Sequence, residues 1–162
     1  MPQSDEYYMQ QALKEAQRAF DEGEVPIGSV IVMQDKIIAR GYNQVEKLND
    51  STAHAEIIAL TSAFNYLGAK YLPEATLYVT IEPCLMCAGA LYWSKIDKIV
   101  YAAEDKKNGF KKYLTPGFPN NRDKLSPNGE GRNPFHPKTK IISSICKDEC
   151  ASLIKQFFKA RR

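Results

Sequence analysis

Cys84 and Cys87 stand three positions apart in the run Pro83-Cys84-Leu85-Met86-Cys87. Two thiols at that spacing can grip one metal ion when the turn between them opens a helix. A helix N-terminus carries partial positive charge and so favours thiolates. Pro83 suits a helix entry, where its missing N–H costs little. The stretch from Leu85 to Trp93 is apolar nearly all round, which predicts a buried helix. Upstream, His54-Ala55-Glu56 places an imidazole and a carboxylate ahead of another amphipathic run. One imidazole and two thiolates give three protein ligands and leave a fourth tetrahedral position for water, the pattern of a catalytic zinc (Zn2+) rather than a structural one. Such a zinc lowers the pKa of its water to about 7. Glu56 lies two residues from His54, so it reaches that water without binding the metal. Removing an amino group from an aromatic ring also needs a proton on the ring nitrogen and another on the departing ammonia. Glu56 can shuttle both, and burial would raise its pKa from the free value of about 4.3. The chemistry implied is hydrolytic deamination of an amino-substituted nucleobase.

Taken singly, these residues have plainer readings. A bare C-x-x-C is as readily a redox pair. A His near a helix start is commonly a cap, and a Glu in a first turn complements the helix dipole. The combination of H-A-E, a spacer and P-C-x-x-C resembles the signature of zinc-dependent nucleobase deaminases. Asn43 is a candidate for reading the base, since an amide donates and accepts at once; its other reading is a turn residue after a strand. Tyr92 and Trp93 are expected in the core, Glu82 has no assigned role, and Cys146 and Cys150 read as two small buried residues.

Around this constellation the chain is ordinary. Its 162 residues are 44% hydrophobic and 25% charged, as in a single globular domain with a real core. No apolar run approaches the ~20 residues of a membrane span, and Met1–Gln10 is no signal segment, so the expectation is cytoplasmic. The net charge of +3 hides an asymmetry. Residues 1–103 hold 8 Lys/Arg and 13 Asp/Glu, whereas residues 104–162 hold 14 and 6, balances of −5 and +8. A solvated basic surface would explain that; so would an anionic partner such as nucleic acid.

The elements that must carry the site follow in order. Ser4 caps a first helix through Met9, Leu13, Ala16 and Phe20, ended by Gly23. Ile27–Met33 and Lys36–Arg40 form a hairpin across Gln34-Asp35, which lacks the usual Gly. Gly41-Tyr42-Asn43 leaves the sheet, and residues 44–52 read as loop. A second helix follows His54, with Ile57, Leu60, Phe64 and Leu67 on one face and Gly68 as its stop. Thr76–Ile81 is a strand leading into the Cys84–Ser94 helix, and Lys98–Ala102 is the next strand. Residues 115–137 read as a long Pro/Gly/Asn-rich loop; five of the nine prolines lie in 116–137. Ile141–Ile145 is a last strand, and a helix begins near Asp148-Glu149. The alternation predicts an α/β fold with a mixed sheet.

Three stretches carry a closer resemblance. Gly23-Glu24-Val25-Pro26-Ile27-Gly28, Thr52–Ile57 and Leu77–Ala90, with Asp148–Ala151 and Phe157-Phe158, resemble the bacterial tRNA adenosine deaminases, the TadA family. The resemblance implies a three-layer α/β/α cytidine-deaminase-like fold with about five strands. It implies a homodimer, one zinc on His54, Cys84 and Cys87, and Glu56 as proton shuttle. It further implies Asn43 against the flipped base, Asp105 near the anticodon loop, and adenosine-to-inosine conversion at the wobble position of a tRNA. The chain departs from that pattern at Glu104, where family members commonly carry Arg, at Phe135-His136-Pro137, and in the 115–137 insertion. Tyr92-Trp93 is similar to bacterial guanine deaminases, which keeps a free nucleobase or nucleoside, such as guanine or cytosine, as the alternative substrate.

Overall fold

Side chains that alternate between the two faces of the strands build the layers of this computed structural model, which describes residues 2–114 and 134–161. Five strands, β1 (Gly28–Met33), β2 (Lys36–Tyr42), β3 (Ala75–Ile81), β4 (Lys98–Ala103) and β5 (Lys140–Ile142), form one sheet in the order β2-β1-β3-β4-β5. β1 runs antiparallel to β2 and β3, while β3, β4 and β5 are parallel. Ile31, Leu77, Val79, Ile99 and Tyr101 face one side of the sheet, where α3 (Ala55–Leu67) and α4 (Leu85–Ser94) cover them. Val30, Val32, Tyr78, Val100 and Ala102 face the other, under α1 (Asp5–Asp21) and α5 (Lys147–Ala160). Both faces of a largely parallel sheet are thus covered, giving the predicted α/β/α layers.

Local chemistry sets the boundaries. Ser4 accepts the Tyr7 N–H at 3.1 Å and caps α1, and Gly68 ends α3 at φ 62°. Gln34 and Asp35 both adopt positive φ (50° and 60°), the combination that two-residue hairpins require and that Gly usually supplies.

The sequence expectations need five corrections. β2 continues through Gly41 and Tyr42, which pair with Ser29 and Gly28. Gly41 lies so close to α3 that a Cβ there would meet the Ala55 carbonyl and the Ala59 amide. Within residues 44–52, Val45–Leu48 makes one turn of helix, α2. The last strand spans Lys140–Ile142 rather than 141–145, and Cys146, unlike Cys150, is only half-buried. The largest correction concerns α4. Its inner face (Cys87, Ala88, Leu91) is buried, but Leu85, Met86, Tyr92 and Trp93 are exposed, Trp93 by 74%. Its composition marked the helix as apolar all round but did not show which face the sheet would cover. Of the 115–137 loop, residues 115–133 lie outside the described residues; Phe135 is buried against Phe110, ring centroids 5.1 Å apart.

Candidate active site

Two helix N-termini meet beyond the carboxyl end of β3. His54 is the N-cap residue of α3 and Cys84 that of α4, and neither side chain makes a cap hydrogen bond. Both are left to face each other. His54 Nδ1 lies 3.6 Å from Cys84 Sγ and 3.6 Å from Cys87 Sγ, and the three ligand atoms fall within 4.8 Å of one another. Around a tetrahedral zinc, with Zn–S of about 2.3 Å and Zn–N of about 2.0–2.1 Å, nitrogen and sulfur ligands sit about 3.5–3.6 Å apart. The donor set therefore fits the ion in chemistry and in spacing. Among the described residues no other three such donors gather.

The electrostatics suit this role. The hydrogen bond from Cys87 holds the Cys84 thiol down at about 4, with the His54 contact adding to it against the effect of burial. Cys87, which gives that hydrogen bond and is buried, is pushed up. The bond to Cys84 raises His54. Cys84 is thus the more readily deprotonated of the two thiols, and a bound cation would favour the thiolate of both. Glu56, in the first turn of α3, is 3% exposed, and burial is the main cause that pushes its carboxyl up to about 7. A carboxyl poised there can both take and give a proton near neutral pH.

A cleft of about 540 Å³ opens over these groups, large enough for a nucleoside. His54, Glu56 and Cys84 line its floor, Glu82 and Asp105 one wall, and Phe158 of α5 the rim. Glu82 and Asp105 follow the carboxyl ends of the parallel strands β3 and β4, the usual place for a ligand in such sheets. Asp105 Oδ1 accepts the Lys107 and Asn108 N–H groups at 3.1 and 3.0 Å. Asn43 lines a neighbouring cavity of about 420 Å³ that shares His54 and Phe158 with the cleft. Its amide donates to the Val25 carbonyl and accepts from the Val45 N–H, both at 3.3 Å, so it serves as a turn residue while keeping a second N–H and lone pair.

Sequence reasoning passed over two buried carboxylates and one aromatic ring. Glu24 accepts the Glu46 and Lys47 N–H groups at 2.8 and 3.0 Å and so holds α2 in the segment leading to His54. Glu82 anchors the segment after β4. Phe158, which the sequence offered only within the Phe157-Phe158 pair of the resemblance, lines the cleft.

Residues 2–103 match the family model of the cytidine and deoxycytidylate deaminase zinc-binding region. The chain belongs to this family of zinc-dependent hydrolytic deaminases, and zinc is its cofactor. Within the family it stands with the tRNA-specific adenosine deaminases. It is 42% identical over 161 residues to the tRNA-specific adenosine deaminase of Buchnera aphidicola subsp. Schizaphis graminum, covering 98% of this chain and 96% of that protein. It is 44% identical over 161 residues to the chloroplastic tRNA(adenine(34)) deaminase of Arabidopsis thaliana, a match to 97% of this chain that spans 12% of that protein's length. A solved structure from work on A-to-I editing by tRNA:A34 deaminases at the wobble position superposes with a TM-score of 0.75 at 37% identity, covering 91% of this chain and 98% of that one. The guanine deaminase of Bacillus subtilis gives a TM-score of 0.61 at 41% identity over 63% of this chain and 66% of its own.

Proposed function

We propose that residues 1–162 act as one deaminase domain that converts adenosine to inosine at the wobble position of a tRNA anticodon. The observation that carries this is the buried Glu56 carboxyl beside the His54–Cys84–Cys87 set at the floor of an open cleft. His54, Cys84 and Cys87 would hold one zinc, which supplies an activated water for attack on an aromatic carbon. Glu56 takes the proton from that water and delivers it to the ring nitrogen beside the attacked carbon. It then takes the second proton from the hydroxyl now on that carbon and passes it to the leaving amine. A C–O bond forms at C6 of adenine, the C6–N bond breaks, and ammonia departs. Asn43 offers its remaining N–H and lone pair to the base edge, and Asp105 lies where nucleotides flanking the target would pass.

The cleft's rim favours RNA over a free base. Phe158 is 49% exposed, and Lys155 and Lys159 share a shallow depression with it. Arg161 lies against Phe157, its guanidinium 4.1 Å from the ring centroid. A ring for stacking beside cations for phosphate is what an unstacked single strand needs. Extruding the base costs less in a loop than in a duplex, which fits an anticodon stem-loop.

The exposed stripe of α4 (Leu85, Met86, Tyr92, Trp93) suits a homodimer, since residues spaced along one helix face would otherwise leave a continuous apolar patch in water. Among the described residues no helix is long and apolar enough to cross a membrane, and we place the enzyme with its tRNA in the cytoplasm.

The test is deamination of an anticodon stem-loop with A at the wobble position, run beside free adenine, adenosine, guanine and cytosine. Inosine in the RNA with inert free bases is the expected result. Turnover of a free base with inert RNA would overturn this reading in favour of a small-molecule deaminase.

A further inference from the structure

We propose that Glu82 is a positioning residue for the cleft wall formed by residues 104–111, an inference that rests on the deaminase reading above. Glu82 follows β3, two residues before Cys84, and is 3% exposed. Its carboxylate is taken up by backbone N–H groups of a segment far along the chain. Oε2 accepts from Lys111 at 3.0 Å and Oε1 from Asp105 at 3.4 Å. Gly109 packs directly on that carboxylate, where any side chain would collide with it. A buried carboxylate costs free energy unless hydrogen bonds compensate it. Here the compensation consists of fixing both ends of one turn.

The rest of the segment is built around that anchor. The Gly109 N–H donates to the Asp105 carbonyl at 2.8 Å, and the Phe110 N–H to the Pro83 carbonyl at 2.9 Å. Gly109 also bridges to Cys84. On the outside, Lys111 Nζ meets Glu104 Oε1 at 2.7 Å, closing the same turn with an exposed ion pair. Glu104 is one of the chain's departures from the resembling sequences, and here it is paired across the turn. Asp105, Lys107 and Asn108, the residues so held, line the cleft with Glu82 itself. The wall that flanking nucleotides meet is therefore formed before they arrive, which lowers the ordering cost of binding.

The variants are Glu82→Gln, whose amide can accept only one of the two N–H groups, and the milder, exposed Glu104→Gln in case the first folds poorly. Amide hydrogen exchange, zinc content and stem-loop kinetics are read on each zinc-loaded protein. The expected result for Glu82→Gln is exchange about tenfold faster confined to residues 105–111. Zinc should stay at one per chain, and KM should rise about tenfold with kcat within about twofold, the mark of lost binding rather than lost chemistry. Glu104→Gln should give the same pattern more weakly. Unchanged exchange in this segment overturns the proposal, as does faster exchange throughout the chain, lost zinc, or a fall in kcat at unchanged KM. Should the wild type prove inert on RNA, the substrate assignment fails, while the exchange pattern still decides the role of Glu82.

Discussion

In the proposed mechanism Glu56 moves protons and Cys87 holds the metal, and each role makes its own prediction. Glu56→Ala should keep one zinc per chain and lower deamination at least about 100-fold, because general acid–base transfer contributes at least that much; metal analysis beside an activity assay checks it. Cys87→Ala should lose zinc, and full occupancy would refute the ligand set. The carboxyl also makes a pH prediction. Glu56 is raised from 4.5 to about 7 in the folded, metal-free chain, so the folded state keeps a proton that the unfolded chain releases. Its contribution to stability is full below about pH 4.5 and is lost as pH rises to about 7, a change of about 3 kcal/mol. With metal removed, the wild type should lose that much relative to Glu56→Gln across this window, as read from urea midpoints. A constant gap would contradict the burial assigned to Glu56. The gathering of His54, Cys84 and Cys87 near a buried Glu56 was legible because chemistry limits which residue types can form such a set and the chain places them at fixed offsets. Glu24 and Glu82 were not. Their partners are backbone amides more than 20 positions away, and backbone amides carry no residue identity.

Among the elements, the approach of α3 to β2 is what aims His54. Gly41→Ala would place a methyl group within 2.8 Å of the Ala59 amide and against the Ala55 carbonyl. The variant should be less stable by about 1–3 kcal/mol, with a measurable loss of zinc affinity because the displaced helix carries a ligand at its start. A variant with unchanged denaturation midpoint and metal affinity would show that the contact can relax freely. Strand and helix identities were readable from periodicity, and the stop at Gly68 from its residue type. The extension of β2 was hidden because Gly41 reads as a breaker when its reason is close packing. The hairpin at Gln34-Asp35 was readable from two strands separated by two residues, although the turn lacks the usual Gly.

For the whole molecule, two surfaces matter. If α4 forms the contact between protomers, Trp93→Glu should shift the protein from dimer to monomer by sedimentation. A wild type that is monomeric at micromolar concentration would remove the basis for that expectation. If α5 tracks an RNA backbone, Lys159→Ala should weaken stem-loop binding and reduce the slope of log affinity against log salt by about 1. The charge division between the two parts of the chain was visible at once, but where the basic residues gather was not. That depends on α5 returning to the cleft, which periodicity cannot foretell.

The N-cap positions of α3 and α4 are held by two residues that cap nothing within the chain. Zinc would fasten the starts of both helices together, so the metal and the fold share one free energy. A cell short of zinc should then hold less of this protein rather than the same amount of idle enzyme, since frayed helix starts are where proteases begin. Tracking its abundance and half-life through metal starvation would reveal whether its editing capacity is set by proteolysis as much as by catalysis.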